Sequence, residues 1–259
     1  MLLENRVAII TGGSRGIGKG IALKFVEEGC SVVIVGRTEV GRKTLKEIVS
    51  KGGAGIFVQC DISDGRQVQK MVDQVIRQFG KVDILVNNAA IGPTPKFFTA
   101  ISEEEYDQVL AVNLKGTFLC CKAVVPHMQE KRYGKIINIS SLAAIAPLAT
   151  EAHYSAAKAG QLGLTIDLAF ELAPFNICVN AILPGITDTD ALNGVIPPGV
   201  NKYEFLSEQV KGVVPFQRLG TPQDVAGVAL FLASDLSNFV TGDRIIVAGG
   251  SPLMPVKFD

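Results

Sequence analysis

The 259-residue chain has no tryptophan and only two histidines, His127 and His153. They are far apart and carry no metal-ligand spacing, so no metal site is expected. Its five cysteines, Cys30, Cys60, Cys120, Cys121 and Cys178, are odd in number and form no C-x-x-C. That argues against a disulfide framework; reduced, mostly buried thiols and a cytoplasmic location are expected. An excess of charge is also missing. Lys and Arg total 25, Asp and Glu 25, and neither sign gathers into a block. Nucleic acid and anionic membrane surfaces are therefore not expected as partners. No stretch approaches 18 uninterrupted apolar residues, which argues against a transmembrane helix. The opening "MLLENRVAIITGG" lacks the basic segment, long apolar run and small-residue cleavage site of a signal peptide and runs straight into a strand. Internal repeats and low-complexity linkers are absent, so one domain over residues 1–259 is expected.

Hydrophobic residues make up 47% and charged residues 19%. An ordered chain of this length buries roughly three quarters of the surface its unfolded form exposes. Seven short runs, "VAII", "SVVIV", "IFVQ", "DILVN", "KIINIS", "ICVNAI" and "RIIVA", are continuously apolar or nearly so. Strands covered by helices on both faces read this way. Between them lie segments such as "GRQVQKMVDQVIRQFG", with apolar residues at helical spacing and a closing glycine. Ser102 and Glu105 spell a capping box, and Thr221, Pro222 and Asp224 spell a second helix start. The alternation predicts an α/β fold with a doubly wound parallel sheet. Residues 187–215 break the rhythm. They are rich in turn residues around one short helical pattern, the signature of a binding loop or lid.

The first strand ends in "TGGSRGIGKG", where Gly12, Gly16 and Gly18 follow the T-G-x-x-x-G-x-G spacing between a strand and a helix. Glycine permits a sharp turn and close approach of a pyrophosphate, and the helix start offers free N–H groups and a positive dipole end. Ser14, Arg15 and Ile17 belong to the same turn and are expected to share in cofactor binding. The second strand ends in Gly36 and Arg37, where an acidic residue would accept hydrogen bonds from an NAD ribose. A guanidinium suits a 2′-phosphate, and Arg15 can reach the same group. NADP(H) is therefore favoured; the nearby Glu39 keeps NAD(H) possible.

With that turn, "CDIS", "NNAA", "NLKG", "NISS" and "YSAAK" in one order, the chain resembles a short-chain dehydrogenase/reductase of the classical type along essentially its whole length. The resemblance implies a seven-stranded parallel sheet and a homotetramer or homodimer. It places Asp61 and Ile62 at the adenine, Asn87 and Ala89 on the adenine-ribose side, and Pro184, Gly185, Thr187 and Thr189 at the nicotinamide carboxamide. It matches Asn113, Ser141, Tyr154 and Lys158 to a catalytic tetrad. Two positions depart from the family pattern: Ala90 stands where "NNAG" has glycine, and Ala248 where "VDGG" has aspartate. The first adds a methyl near the cofactor; the second removes a carboxylate of structural rather than catalytic character.

The tetrad makes chemical sense. Positions four apart on a helix share a face, so Tyr154 and Lys158 can point into one cleft. A nearby ammonium is expected to lower a phenol, ordinarily near 10, by about 1–3 units. Tyr154 would then give a proton to a ketone oxygen, or take one from an alcohol. Ser141 would orient that oxygen, Lys158 would also bind the nicotinamide ribose, and Asn113 would hold a water that relays protons. His153 lies about 100° around the helix from Tyr154 and is read as a neighbour. Leu142, Ile145, Phe97, Phe98, Leu192 and Ile196 would wall a pocket for a neutral or partly apolar small-molecule carbonyl or alcohol. A ketone reductase or alcohol dehydrogenase is the first reading and a β-ketoacyl-(acyl-carrier-protein) reductase the second. Phe175 stands where those reductases usually carry a cation, with Lys131 and Arg132 the remaining basic residues. A non-catalytic nicotinamide-binding sensor and a methyltransferase are the rivals, and neither needs the tetrad. The C-terminal "SPLMPVKFD" corresponds to a region that packs at the subunit interface in the family.

Overall fold

A computed structural model describes the chain except residues 148, 191, 193–195, 197–198, 212 and 253–259 and the side chains of 202, 203 and 209. Most of the C-terminal segment and part of the 187–215 insertion thus lie outside the described residues. All seven apolar runs form strands: β1 (Val7–Thr11), β2 (Ser31–Gly36), β3 (Gly55–Gln59), β4 (Ile84–Asn87), β5 (Gly134–Ile139), β6 (Ile177–Pro184) and β7 (Arg244–Val247). They pair in parallel in the order β3-β2-β1-β4-β5-β6-β7. The strand order reverses between β1 and β4, which opens a crevice at the carboxyl ends of those two strands.

The helices are α1 (Gly16–Glu27), α2 (Gly41–Ser50), α3 (Gly65–Phe79), α4 (Glu103–Leu110), α5 (Gly116–Lys131), α6 (Ala152–Leu172), α7 (Lys202–Val210) and α8 (Pro222–Ala233). One core lies under α3, α5 and α6, where Val68, Met71, Val72, Cys121, Val124 and Leu172 meet Ile9, Leu85 and Ile136. The second lies under α1, α2 and α8, where Ile21, Phe25, Ile48, Val225 and Leu232 meet Ile10, Ile34 and Ile137. Strands β1, β4, β5 and β6 are buried along their whole length, as their unbroken apolar runs require. β7 closes the sheet as an edge strand with every other residue turned outward.

Both expected capping boxes form, at Ser102–Glu105 and at Thr221–Asp224. Helices α4 and α5 are continuous through a π-turn at Ala111–Lys115, giving one helix from Glu103 to Lys131. Its length and apolar content would suffice to cross a bilayer, yet half of its apolar window is buried inside the protein. It is a core helix that contributes Cys120, Cys121, Val124 and Met128 to the packing against the sheet.

Candidate active site

The glycine turn sits at the β1–β4 crevice, and its glycines are demanded by the protein itself. Gly12 has φ +65°, and a Cβ there would stand 2.8 Å from the Ala89 Cα at the end of β4. A Cβ on Gly18 would collide with the Gly12 carbonyl oxygen. The turn therefore lies tight on the "NNAA" segment, and Asn88 bolts the two together. Its Nδ2 donates to the carbonyls of Thr11 (2.9 Å) and Gly12 (3.1 Å), while Thr11 Oγ1 accepts from the N–H groups of Asn88 and Ala89. Helix α1 begins at Gly16 with Arg15 in extended conformation and no side-chain cap, which leaves the first-turn N–H groups available to an anion. The residues present thus fit a dinucleotide.

The other expected cofactor contacts divide into two groups. Arg15 and Arg37 are exposed at the rim of the turn. Glu39 is ion-paired with Arg42, which leaves Arg37 as the charge at the end of β2. Ser14 packs between Gly36 and Gly41, and its carbonyl accepts from Thr44 Oγ1 at 2.9 Å. Ile17 leans on the α1 core, and Ile62 is buried against Gly116. Asp61 is half-buried, with Oδ1 accepting from the Ser63 N–H and hydroxyl. Pro184 is buried at the end of β6, and Gly185 abuts Ala248, which fills the place of the missing aspartate with packing. Thr187 turns its hydroxyl to the Gly185 carbonyl at 3.0 Å. Thr189 lies over Gly16, beside a cavity of about 350 Å³ lined by Gly16, Lys19, Asp188, Thr189 and Gln223.

Asn87 turns its side chain away from the crevice. Its side chain is 3% exposed and donates to Asn138 Oδ1 at 2.9 Å and Cys121 Sγ at 3.3 Å, inside the core under α5. Only its main chain can face a cofactor. The neighbouring Asn88, not singled out in the sequence, is the residue that shapes the turn.

The tetrad residues converge where β5 ends and α6 begins. Ser141 follows β5 and starts a short 3₁₀ turn, with Oγ accepting from the Ala143 N–H at 3.1 Å. Ser140, also missed in the sequence, is buried and donates to the Lys158 carbonyl at 2.9 Å, so β5 grips α6 directly below the site. Lys158 is 1% exposed; its Nζ donates to the Ile139 carbonyl (2.8 Å) and to Gln161 Oε1 (3.3 Å). It lies 5.8 Å from the centre of the Tyr154 ring. Burial pulls the Lys158 ammonium down to about 7.

Tyr154 departs from expectation. Burial pushes its phenol up to about 12; the Ser141 hydroxyl pulls the other way, and the Glu151 carboxylate raises it further. Desolvation dominates, and the Lys158 ammonium is not among the groups that lower the phenol. Asn113 is enclosed by protein. It sits 0% exposed in the π-turn, with Oδ1 accepting from the Ile91 N–H at 2.8 Å and Nδ2 donating to the Ile91 carbonyl at 2.9 Å. Its own carbonyl accepts from Thr117 Oγ1 (3.0 Å) and Gln161 Nε2 (2.8 Å). Both ends of the side chain and the carbonyl are engaged by protein, so Asn113 braces the wall above the site.

Around this centre Phe97 and Phe98 are 80% and 78% exposed and Ile145 is 40% exposed, an uncovered apolar rim. Leu142, Leu192 and Ile196 are partly exposed, and Ala90 projects outward next to the glycine turn.

Comparison with known proteins agrees with this geometry. A family model described as "Enoyl-(Acyl carrier protein) reductase" matches residues 12–251. The chain is 42% identical over 254 residues to the (2S)-[(R)-hydroxy(phenyl)methyl]succinyl-CoA dehydrogenase subunit BbsD of Thauera aromatica, covering 98% of this chain and 99% of that one. It is 40% identical over 248 residues to the 3-oxoacyl-[acyl-carrier-protein] reductase FabG of Staphylococcus aureus, covering 94% and 96%. Among solved structures, levodione reductase superposes with a TM-score of 0.90 at 30% identity, covering 96% and 98%. The 3-ketoacyl-(acyl-carrier-protein) reductase of Brucella melitensis complexed with NADH superposes with a TM-score of 0.88 at 36% identity, again covering 96% and 98%. The chain belongs to the short-chain dehydrogenase/reductase family and is an NAD(P)-dependent oxidoreductase.

Proposed function

We propose that the chain interconverts a ketone and a secondary alcohol, with Tyr154 exchanging the proton on the substrate oxygen and NADP(H) as the favoured cofactor. The nicotinamide group, when bound, supplies or accepts the hydride. The observation that carries the reading is the buried Lys158 ammonium 5.8 Å from the Tyr154 ring, with Ser141 alongside and the glycine turn at the adjacent crevice. Ser141 holds the substrate oxygen against the phenol. Lys158, in its protonated form, supplies a positive charge at the base of the cleft. Arg15 and Arg37, exposed beside the turn, suit a 2′-phosphate. The rim of Phe97, Phe98 and Ile145 favours an apolar or neutral carbonyl compound. Five free, buried cysteines suit a reducing cytoplasm. We also infer a homo-oligomer, most simply a homotetramer.

The acyl-carrier-protein reading is favoured by one contact. Arg132 Nη2 donates to the Pro174 carbonyl at 2.8 Å, which sets a guanidinium beside Phe175. A cation is thus supplied from the end of α5 where the loop residue itself lacks one. An assay of simple ketones, alcohols and 3-oxoacyl thioesters with both cofactors separates the substrates. Tyr154→Phe is expected to lose about 10²–10⁴-fold in turnover, the usual worth of a general acid. Near-wild-type turnover in that variant sinks the mechanism, and an unchanged cofactor preference in Arg37→Ala sinks the NADP(H) assignment.

A further inference from the structure

Lys158 and Asn113 are joined through a single buried amide. Gln161, one turn along α6 from Lys158, is 1% exposed. Its Oε1 accepts from Lys158 Nζ at 3.3 Å, and its Nε2 donates to the Asn113 carbonyl at 2.8 Å and to Thr117 Oγ1 at 2.7 Å. The Thr117 hydroxyl gives its own proton to the Asn113 carbonyl, so it can only accept from Gln161. These contacts fix which way the amide faces. Turned over, it would set an NH₂ against the ammonium and an oxygen against the Asn113 carbonyl. The main chain of Gln161 is held as well. Its carbonyl accepts from Thr165 Oγ1 at 2.7 Å, and Thr165 accepts in turn from Asn138 Nδ2 at 2.9 Å on β5.

We propose that Gln161 is a positioning residue for the site: its amide oxygen anchors the Lys158 ammonium and ties it to the π-turn at Asn113. The inference rests on the reading of Lys158 as the cation of the active site. An ammonium has three protons. The Ile139 carbonyl takes one and Gln161 a second, which leaves the third for the cleft. Gln161 also makes the link between Lys158 and Asn113 out of protein. An amide neither takes up nor releases a proton near neutral pH, so Gln161 itself acts on Lys158 by orienting its charge.

Few charged groups compete for this role. On α6, Tyr154 and Glu151 are the titratable neighbours, and Glu151 acts on the phenol. From α4, Glu105 is engaged by Lys96. Lys115 of the π-turn is exposed. In α5 the nearby Cys121 thiol is kept neutral by burial. On β5, Lys135 interacts with Cys178 and Ser237, which belong to β6 and the turn before β7. Among the described residues no carboxylate offsets the burial of Lys158. Its charge therefore depends on neutral acceptors, the Ile139 carbonyl and the Gln161 side chain.

The test uses the full-length protein labelled with ¹³Cε-lysine, with the Lys158 resonance followed against pH by NMR. Gln161→Met keeps length and bulk and removes the acceptor. It is expected to lower the Lys158 midpoint by about one unit, so the ammonium fraction above the midpoint falls about tenfold. Ketone reduction should then fall by a similar factor at pH 8 and much less at pH 6. Gln161→Glu places a carboxylate on the ammonium and is expected to move the midpoint up. If Gln161→Met does not fold, the Glu variant carries the test alone. An unmoved Lys158 midpoint in the folded variants overturns the proposal, including when activity drops equally at every pH, as a purely structural role would produce. The resonance reports on Lys158 whether or not ketones are reduced, whereas failure of the oxidoreductase mechanism shows in Tyr154→Phe.

Discussion

At the scale of single residues, the site holds its acid and its cation in their less charged forms. Burial keeps Tyr154 protonated far above neutral pH and brings Lys158 close to losing its proton near it. The direction of each shift sets a pH dependence. Reduction needs the phenol protonated, a form present at every pH below its raised value, so the acid limb of reduction is expected to be flat. Oxidation needs the phenolate, whose fraction grows tenfold per unit as pH rises toward about 12. The Lys158 ammonium fraction falls tenfold per unit above about 7, so the two trends offset and oxidative turnover should stay level between pH 7 and pH 10, while reduction falls across that range. Initial rates in both directions check this, and an oxidative rate that climbs tenfold per unit would show that turnover does not need the Lys158 charge. Helix spacing let Tyr154 and Lys158 be paired in the sequence, and the family resemblance added Ser141. Gln161, Ser140, Thr117 and Asn88 were not legible there. Each acts by touching something distant in sequence, as Asn88 touches Thr11 and Gln161 touches Asn113. The direction of the Asn87 side chain was hidden for a related reason. Adjacent residues at a strand end face opposite sides, and the core claimed the first of the two asparagines.

At the scale of elements, the helix starts were readable and the π-turn was not. A capping box is a local code, and Thr221–Asp224 shows it in full. Asp224 Oδ2 accepts from the Thr221 N–H (2.7 Å) and hydroxyl (2.8 Å), and both its oxygens take the Arg218 guanidinium at 2.8 and 3.0 Å. That pair with Arg218 holds the Asp224 carboxyl well below the usual carboxylate range. A depressed pKa contributes stability that is present above the unfolded value, near 4, and is lost as pH falls through the folded value. Asp224→Asn is expected to cost about 1 kcal/mol at pH 7, discounted for partial exposure. The cost should shrink as pH falls below 4. Urea titrations of both proteins at pH 7 and pH 3.5 measure the difference, and an equal cost at the two pH values would leave the cap's charge without a role. The π-turn at Ala111–Lys115 has no comparable local code. "AVNLK" reads as ordinary helix; the extra residue per turn turns Asn113 inward to meet Ile91 and Gln161. The same element thus hides a functional bend inside a helix that composition alone would pass as a membrane span.

At the scale of the whole molecule, the parallel sheet buries both faces of its central strands, and what remains uncovered is concentrated on the helical layers and the β7 edge. On the layer of α5 and α6, Phe118 is 45%, Ile166 55% and Phe170 88% exposed. Near β7, Leu236 is 67% and Ile246 43% exposed, and Phe239 is fully so. These are the surfaces that the proposed homotetramer would cover, through two distinct two-fold contacts. The active site would gain from that arrangement. Helix α6 carries Tyr154, Lys158 and Gln161 near its start and Phe170 near its end, so fixing its outer face against a partner stiffens the element that holds the catalytic pair. Sedimentation of the wild type is expected to report four times the 27.5 kDa chain. Phe170→Glu, which buries a charge in one contact, should give dimers that keep the β7-side contact and turn over more slowly than the tetramer. A wild-type chain that sediments as a monomer at micromolar concentration, with full activity, would leave those exposed aromatics without their proposed partner.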